Sequence, residues 1–458
     1  MKPGTRKRRG IAVVLTLGAM LWGTAQANAE PVVVEPAAVV PSPPELDPGF
    51  YRPSADKYAD KAPGEIIAAR QINAANFGLI PLNVDAWAIS YRSNNSRDEA
   101  IPAVATMLKP RGSSPDKLLS MQIAEDSLAG YCAPSYTVQQ WSLGLLGGQV
   151  TVPAEFIAAQ GALQQGWAVV IPDHQGPDEA YAAGPLAGRI TLDGIRAARA
   201  FEPLRLAEQA RIGMVGYSGG AVATGHAAEM KRDYAPELNI VGAAEGGVAA
   251  DLAAVVNQNS GQLGAGVIMA AILGVGREYP EFGDFLRRDL DPLGQGLSQV
   301  KSGLCVALQA SVFPFLNIKG LIRGDGDPLQ HPVVRNVLNE IRMGKQVPDM
   351  PMFIWQANPD ELIPVGQVNT LVDTYCADPR AQVQYTREHL GEHIATAVSG
   401  LPTAMLWLRD RLEGIPAAAG CSTFDAGFMA LNPEGFALLS SVFGETVASF
   451  FGKAIGTK

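Results

Sequence analysis

The sequence predicts an α/β fold with a mostly parallel central sheet and a helical cap inserted between two of its strands. Three observations carry this. Short aliphatic runs alternate with helical stretches, the rhythm of βαβ units around a parallel sheet. One run, 211–215, enters Gly216-Tyr217-Ser218-Gly219-Gly220 and then a helix of small residues. The rhythm breaks over 251–347 and resumes at 350.

Residues 1–29 are set apart from the fold. Lys2, Arg6, Lys7, Arg8 and Arg9 form a basic start, 11–22 is an uncharged apolar run, and Ala27-Asn28-Ala29 is a small-x-small cleavage site. That is the plan of a secretory signal peptide, which places the chain outside the cell or in its envelope. Cleavage removes five basic residues and no acidic one, so the formal net charge of −9 becomes −14. So acidic a chain lacks the basic surface that nucleic acid requires. In an exported protein Cys132, Cys305, Cys376 and Cys421 imply two disulfides. Three pairings are open to them. No Cys-x-x-Cys occurs and no histidine lies close to a cysteine, so no metal site is expected.

Residues 30–50 are rich in proline and read as a linker or arm. The first part of the core spans 51–250. Strands are expected at 65–70, 84–91 and 101–108, the last two joined by the polar stretch 92–100 as an antiparallel hairpin at one sheet edge. A strand at 118–123 runs into Ala124-Glu125-Asp126-Ser127. A helix at 154–165 and a buried strand at 167–172 follow, then a helix at 191–205, the strand at 211–215, and a strand at 240–245. The cap, 251–347, holds an apolar segment at 263–275. The second part of the core, 348–421, has strands at 350–356 and 381–386 and a helix at 402–412. The tail, 422–458, places Phe436, Leu439, Phe443, Val447, Phe450 and Ala454 at helical spacing. This stripe packs on the body or, as the sharper alternative, touches lipid.

Gly216-Tyr217-Ser218-Gly219-Gly220 carries the pattern of a nucleophile elbow, a strand-to-helix turn that exposes a serine hydroxyl above a sheet. In a chain with 49 glycines the pattern alone is weak; the flanking strand and helix give it weight. A serine needs a base, and the base an acid to orient it. In such a fold they follow the serine in the order acid, histidine. Asp360, in the loop after 350–356, is the acid candidate, and the side chain of its neighbour Glu361 is expected to point elsewhere. Of the five histidines, His393 is the base candidate, presented from a loop after Gly391 and ahead of the last helix. His389 is the alternative; His174, after an earlier strand, reads as structural, His226 follows Ser218 too soon, in the elbow helix, and His331 lies in the cap. A tetrahedral intermediate also needs backbone N–H donors. Gly219 supplies one; the other belongs to the loop around Asp126, which the residue pattern alone does not place.

At these residues the chain resembles the secretory lipase family, the lipase-A-like enzymes of fungi and actinobacteria, which have the α/β-hydrolase fold. The resemblance rests on Asp47-Pro48-Gly49-Phe50-Tyr51-Arg52-Pro53, on Glu125-Asp126-Ser127 with Cys132-Ala133-Pro134-Ser135-Tyr136, and on Pro172-Asp173-His174-Gln175-Gly176. Gly216 to Ala221, Asp360-Glu361-x-x-Pro364, Gly391-Glu392-His393 and Leu406 to Gly414 complete it. It implies catalytic roles for Ser218, Asp360 and His393. It implies oxyanion donors at Asp126 and Gly219, with Ser127 as the alternative to Asp126 because the spacing to Cys132 is one residue longer than the fungal pattern. It implies a lid after the sixth strand of that fold, and the pairs Cys132–Cys305 and Cys376–Cys421. The implied activity is that of a secreted triacylglycerol lipase or esterase working through an acyl-enzyme on Ser218. Its partners are then a lipid ester and a lipid interface, with no cofactor and no metal. The rival readings are a soluble short-chain esterase, a peptidase or amidase on the same fold, and a non-catalytic protein that binds lipid or the cell envelope.

Overall fold

Side chains alternate across the central strands, and that alternation builds two cores, one on each face of a single sheet. In the strand Arg211–Tyr217, Ile212 and Met214 pack on one side, Val215 and Tyr217 on the other. Met352 and Ile354 oppose Phe353 and Trp355 in the same way. The structure, a computed structural model, describes residues 1, 4 and 32–456. Apart from 1 and 4, the expected signal segment 1–29 lies outside the described residues. The compact unit is Val33–Lys458.

Eleven strands form the sheet. They are β1 (Val34–Glu35), β2 (Ile66–Gln71), β3 (Val84–Asn94), β4 (Ala100–Pro110), β5 (Lys117–Gln122) and β6 (Ala168–Pro172), then β7 (Arg211–Tyr217), β8 (Ile240–Gly246), β9 (Met352–Ala357), β10 (Val383–Glu388) and β11 (Cys421–Ala426). Their order is β1-β2-β3-β4-β6-β5-β7-β8-β9-β10-β11. From β6 to β11 every neighbouring pair is parallel, while β2, β3, β4 and β6 pair antiparallel.

Helices α1 (Thr151–Gln164), α2 (Gly184–Ala200) and α3 (Gly219–Tyr234) belong to the first part of the core. Between β8 and β9 lie α4 (Leu252–Asn259), α5 (Ala265–Glu278), α6 (Pro280–Asp289), α7 (Pro292–Lys301), α8 (Val306–Ser311) and α9 (Pro332–Glu340). After β9 come α10 (Val365–Cys376), α11 (His393–Leu412) and α12 (Pro433–Phe450). Side chains of α2, α3 and α10 join the first core, and those of α1 and α11 the second.

Four elements differ from the sequence reading. The helix expected at 191–205 is α2, seven residues earlier at its start. Pro185 suits a first helical turn, while Pro203 falls in a separate short 3₁₀ turn, Glu202–Leu204, after α2 has ended. The last core helix begins at His393 rather than near 402, with Pro402 inside it. Part of the arm pairs with β2 as β1. The tail opens as a strand: β11 pairs parallel with β10. Its start is tied to the end of α10 by the Cys376–Cys421 disulfide. The second disulfide, Cys132–Cys305, joins the segment after β5 to the cap between α7 and α8.

Candidate active site

The turn after β7 is dictated by close backbone approach. A Cβ on Gly216 would lie 2.3 Å from the Gly220 carbonyl oxygen, and one on Gly220 would lie 2.0 Å from that of Gln122 on β5. Both positions therefore exclude any side chain. Ser218 between them adopts φ 51° and ψ −119°. Such a strained conformation persists only where the surroundings over-determine it. Its own N–H donates to the Gly246 carbonyl at 2.8 Å, so β8 helps to hold it. Gly219 is the first residue of α3, where an N–H has no intrahelical acceptor and carries the positive end of the helix dipole.

The structure brings three of the sequence candidates into one line. Ser218 Oγ lies 3.0 Å from His393 Nε2. His393 Nδ1 lies 2.8 Å from Asp360 Oδ2. With the Nδ1 proton donated to the carboxylate, Nε2 is left as an acceptor for the serine hydroxyl. Asp360 is buried and held by three further donors. The N–H groups of Leu362 and Ile363 donate to Oδ1 at 3.0 and 2.7 Å, and Gln356 Nε2 donates to Oδ2 at 2.8 Å. Burial alone would lower the basicity of the His393 imidazole. The hydrogen bond and charge of Asp360, with smaller contributions from Glu361 and Asp126, outweigh it and hold the pKa above the usual histidine value.

His393 is not presented from a loop. It is the first residue of α11, and three side chains fix it there. Glu392 caps the helix, its carboxylate accepting from the N–H groups of Ile394 and Ala395 at 2.9 and 2.8 Å. Glu361 Oε2 accepts from the N–H of His393 itself at 3.1 Å. Glu361 thus turns toward the site, contrary to the sequence expectation, because a carboxylate is favoured at a helix N-terminus. Tyr217 Oη donates to the His393 carbonyl at 2.6 Å. The sequence reading missed Tyr217 and Glu392. The only signal was their position, each next to a candidate.

His389 lies elsewhere, exposed and bonded to Asp425 and Asn358. His174 and His226 are buried, and burial pulls the pKa of each down to about 4. Their Nε2 atoms engage the carbonyls of Ile123 and Ile341.

The loop bearing Asp126 is fixed from several directions. His174 Nε2 lies 2.9 Å from the Ile123 carbonyl, and Gln175 Nε2 donates to that of Ser127 at 2.8 Å. Gln149 Nε2 donates to the Glu125 carbonyl at 3.0 Å, and the N–H of Ala124 reaches Glu155 Oε2 at 3.3 Å. Asp126 itself has φ 50°. Its carboxyl lies over Gly219, where a Cβ would come 1.8 Å from Oδ1. Burial pushes its pKa up to about 7, against the opposing pull of His393 and Tyr181. Ser127, the alternative donor, is buried, with its hydroxyl turned back to the Glu125 carbonyl.

Ser218, His393 and Asp126 open into a cavity of about 850 Å³. Its walls are mostly apolar. They come from α1 (Ile157), α5 (Val267), α11 (Val398, Leu401) and α12 (Leu438, Val442). Such a space holds a long apolar group with a polar junction at one end.

A family model described as "Secretory lipase" matches residues 143–420. Lipase A of Arthroderma benhamiae is 33% identical over 436 residues, covering 94% of this chain and 92% of that protein. A secreted triacylglycerol lipase of Malassezia globosa, LIP4, is 36% identical over 399 residues, covering 84% and 85%. Among solved structures, Candida antarctica lipase A in its closed state superposes with a TM-score of 0.80 at 30% identity, covering 92% of this chain and 99% of that one.

Proposed function

The chain belongs to the secretory lipase family, and from that premise we propose that it is a secreted serine carboxylic-ester hydrolase acting on triacylglycerols through an acyl-enzyme. The observation that carries the reading is the Ser218–His393–Asp360 line, with distances of 3.0 and 2.8 Å, at an apolar cavity. Ser218 Oγ attacks the ester carbonyl while His393 Nε2 takes its proton. Asp360 keeps the imidazole in the required tautomer and stabilises the imidazolium. The carbonyl oxygen becomes an oxyanion facing the N–H groups of Gly219 and Asp126. Collapse expels the alcohol, which takes the proton back from His393. Water then enters by the same route in reverse and releases the fatty acid and free Ser218.

Export fits the two disulfides, which persist in oxidising compartments. It also fits the relatives named as secreted. The test is hydrolysis of emulsified triolein and of soluble p-nitrophenyl butyrate by the wild type and by Ser218→Ala. Both activities are expected in the wild type, with a loss of about 10⁴-fold or more in the variant. A variant that keeps its activity would remove Ser218 from the reaction. Cleavage of the soluble ester alone would make the enzyme a short-chain esterase.

A further inference from the structure

Helix α12 turns its larger apolar side chains outward. Its inner face is narrow and made of small or aliphatic residues: Gly435, Val442 and Ser449 are buried and Leu438 is half-buried. Phe436, Leu439, Phe443, Val447 and Phe450 recur every three or four residues on another side and are exposed, Phe436 by 67%, Phe443 by 71% and Phe450 by 55%. No charged residue interrupts this stripe. The two acidic residues of the helix, Glu434 and Glu445, lie off it, and Glu445 is paired with Lys453. A monomer rarely shows a row of phenylalanines to water without a use for it.

The stripe is continuous with the mouth of the cavity. Leu439 belongs to it, and Leu439 also lines the cavity. Ile394 and Val398 on α11, Leu263 beside α5 and Val150 before α1 share this double character, lining the cavity and lying exposed to solvent. Such residues mark the mouth. It is therefore rimmed with apolar groups from four segments, and α12 extends the rim outward by three turns. The stripe has no lysine or arginine with which to seek anionic headgroups.

We propose that the outward stripe of α12 is a docking surface for an uncharged acylglycerol droplet, seating the cavity mouth on the lipid from which an ester group enters. The choice of lipid rests on the hydrolase reading above. The surface acts through apolar burial alone, as an amphipathic helix lying in an interface does.

The experiment separates binding from catalysis. In the Ser218→Ala background the full chain is mixed with triolein emulsion and floated. The chain is expected in the lipid layer, and adding F436S, F443S and F450S should lower the bound fraction about tenfold. None of these three residues lines the cavity. In the active background the serine variant should lose about tenfold on emulsified triolein while its kcat/KM on monomeric p-nitrophenyl butyrate stays within about twofold. Replacing the same three residues by leucine should restore flotation, which a folding defect at these positions would not predict. Unchanged flotation of the serine variant overturns the proposal. So does an equal fall on both substrates, which would make α12 a wall of the cavity only. A lipid-free dimer that the serine variant dissociates, without effect on flotation, would assign the stripe to a second copy instead. If the wild type hydrolyses neither ester, the catalytic reading fails, and flotation still decides the docking surface.

Discussion

On the Ser218 side of the site the positions are set by backbone against backbone; on the His393 side they are set by side-chain hydrogen bonds. Gly216 and Gly220 sit where a Cβ would meet a carbonyl oxygen at 2.3 and 2.0 Å. No flexible group stands there to yield. His393 is instead held by Asp360 through its ring, by Glu361 at its N–H and by Tyr217 at its carbonyl. Each is a separate contact that can be removed singly. The serine half should therefore tolerate almost no change, and the histidine half should respond in steps that follow the charge and distance of each partner.

The largest step on the histidine side belongs to Asp360. Asp360→Asn keeps the size and lets an amide replace the carboxylate. The amide can then favour the wrong imidazole tautomer, and the imidazolium loses its counter-charge. A fall of about 10⁴-fold in kcat on a soluble ester is expected. A fall of tenfold or less would show that the Gln356 amide and the neighbouring N–H groups orient His393 without the carboxylate, and the contrast between the halves would weaken.

The serine half answers through Gly219. A methyl group there would come 1.8 Å from Asp126 Oδ1, so Gly219→Ala must push the Asp126 carboxyl and its loop aside. Displacing one N–H from the oxyanion is expected to cost about 10²-fold in kcat. Here the obstacle is a side chain, so the damage can be undone. Asp126→Gly removes the carboxyl, keeps the N–H and suits the φ of 50°. The double variant should regain about tenfold over Gly219→Ala alone. If Asp126→Gly brings no recovery, the loop is not what the methyl group displaces.

The two halves were also legible to different degrees. The elbow and the acid loop are local signals: glycines at fixed spacing, or an Asn-Pro-Asp turn after an apolar run, and each lies where a strand ends. Asp126 has no such signature. Its N–H is placed by His174, Gln175, Gln149 and Glu155, which arrive from three other segments. The start of α11 was hidden because Pro402 looks like a first-turn residue, while the true N-terminus is capped by glutamate rather than by the more usual Ser, Thr, Asp or Asn. Strand β11 was hidden because Cys421–Ala426 is an exposed edge strand with little apolar alternation. Its pairing depends on β10 and the disulfide rather than on its own pattern.

Glu361 gives the finest measure of the histidine half. Its carboxylate touches the His393 N–H and not the ring, so its removal should leave the proton relay intact. Glu361→Gln preserves an acceptor at the helix terminus and deletes one negative charge. The loss in kcat is expected to be about threefold. The pH profile carries the sharper signal. Only the neutral imidazole can take the serine proton, so activity falls on the acid side as His393 is protonated, and the raised pKa puts that limb above the usual histidine value. Glu361 is one of the charges that favour the imidazolium, so deleting it lowers the His393 pKa. The neutral base then persists to lower pH, and the acid limb of kcat/KM on a soluble ester should move toward acid by a fraction of a pH unit. A limb that moves toward alkali would mean that Glu361 acts through the position of α11 rather than through its charge. The histidine half would then be held as rigidly as the serine half.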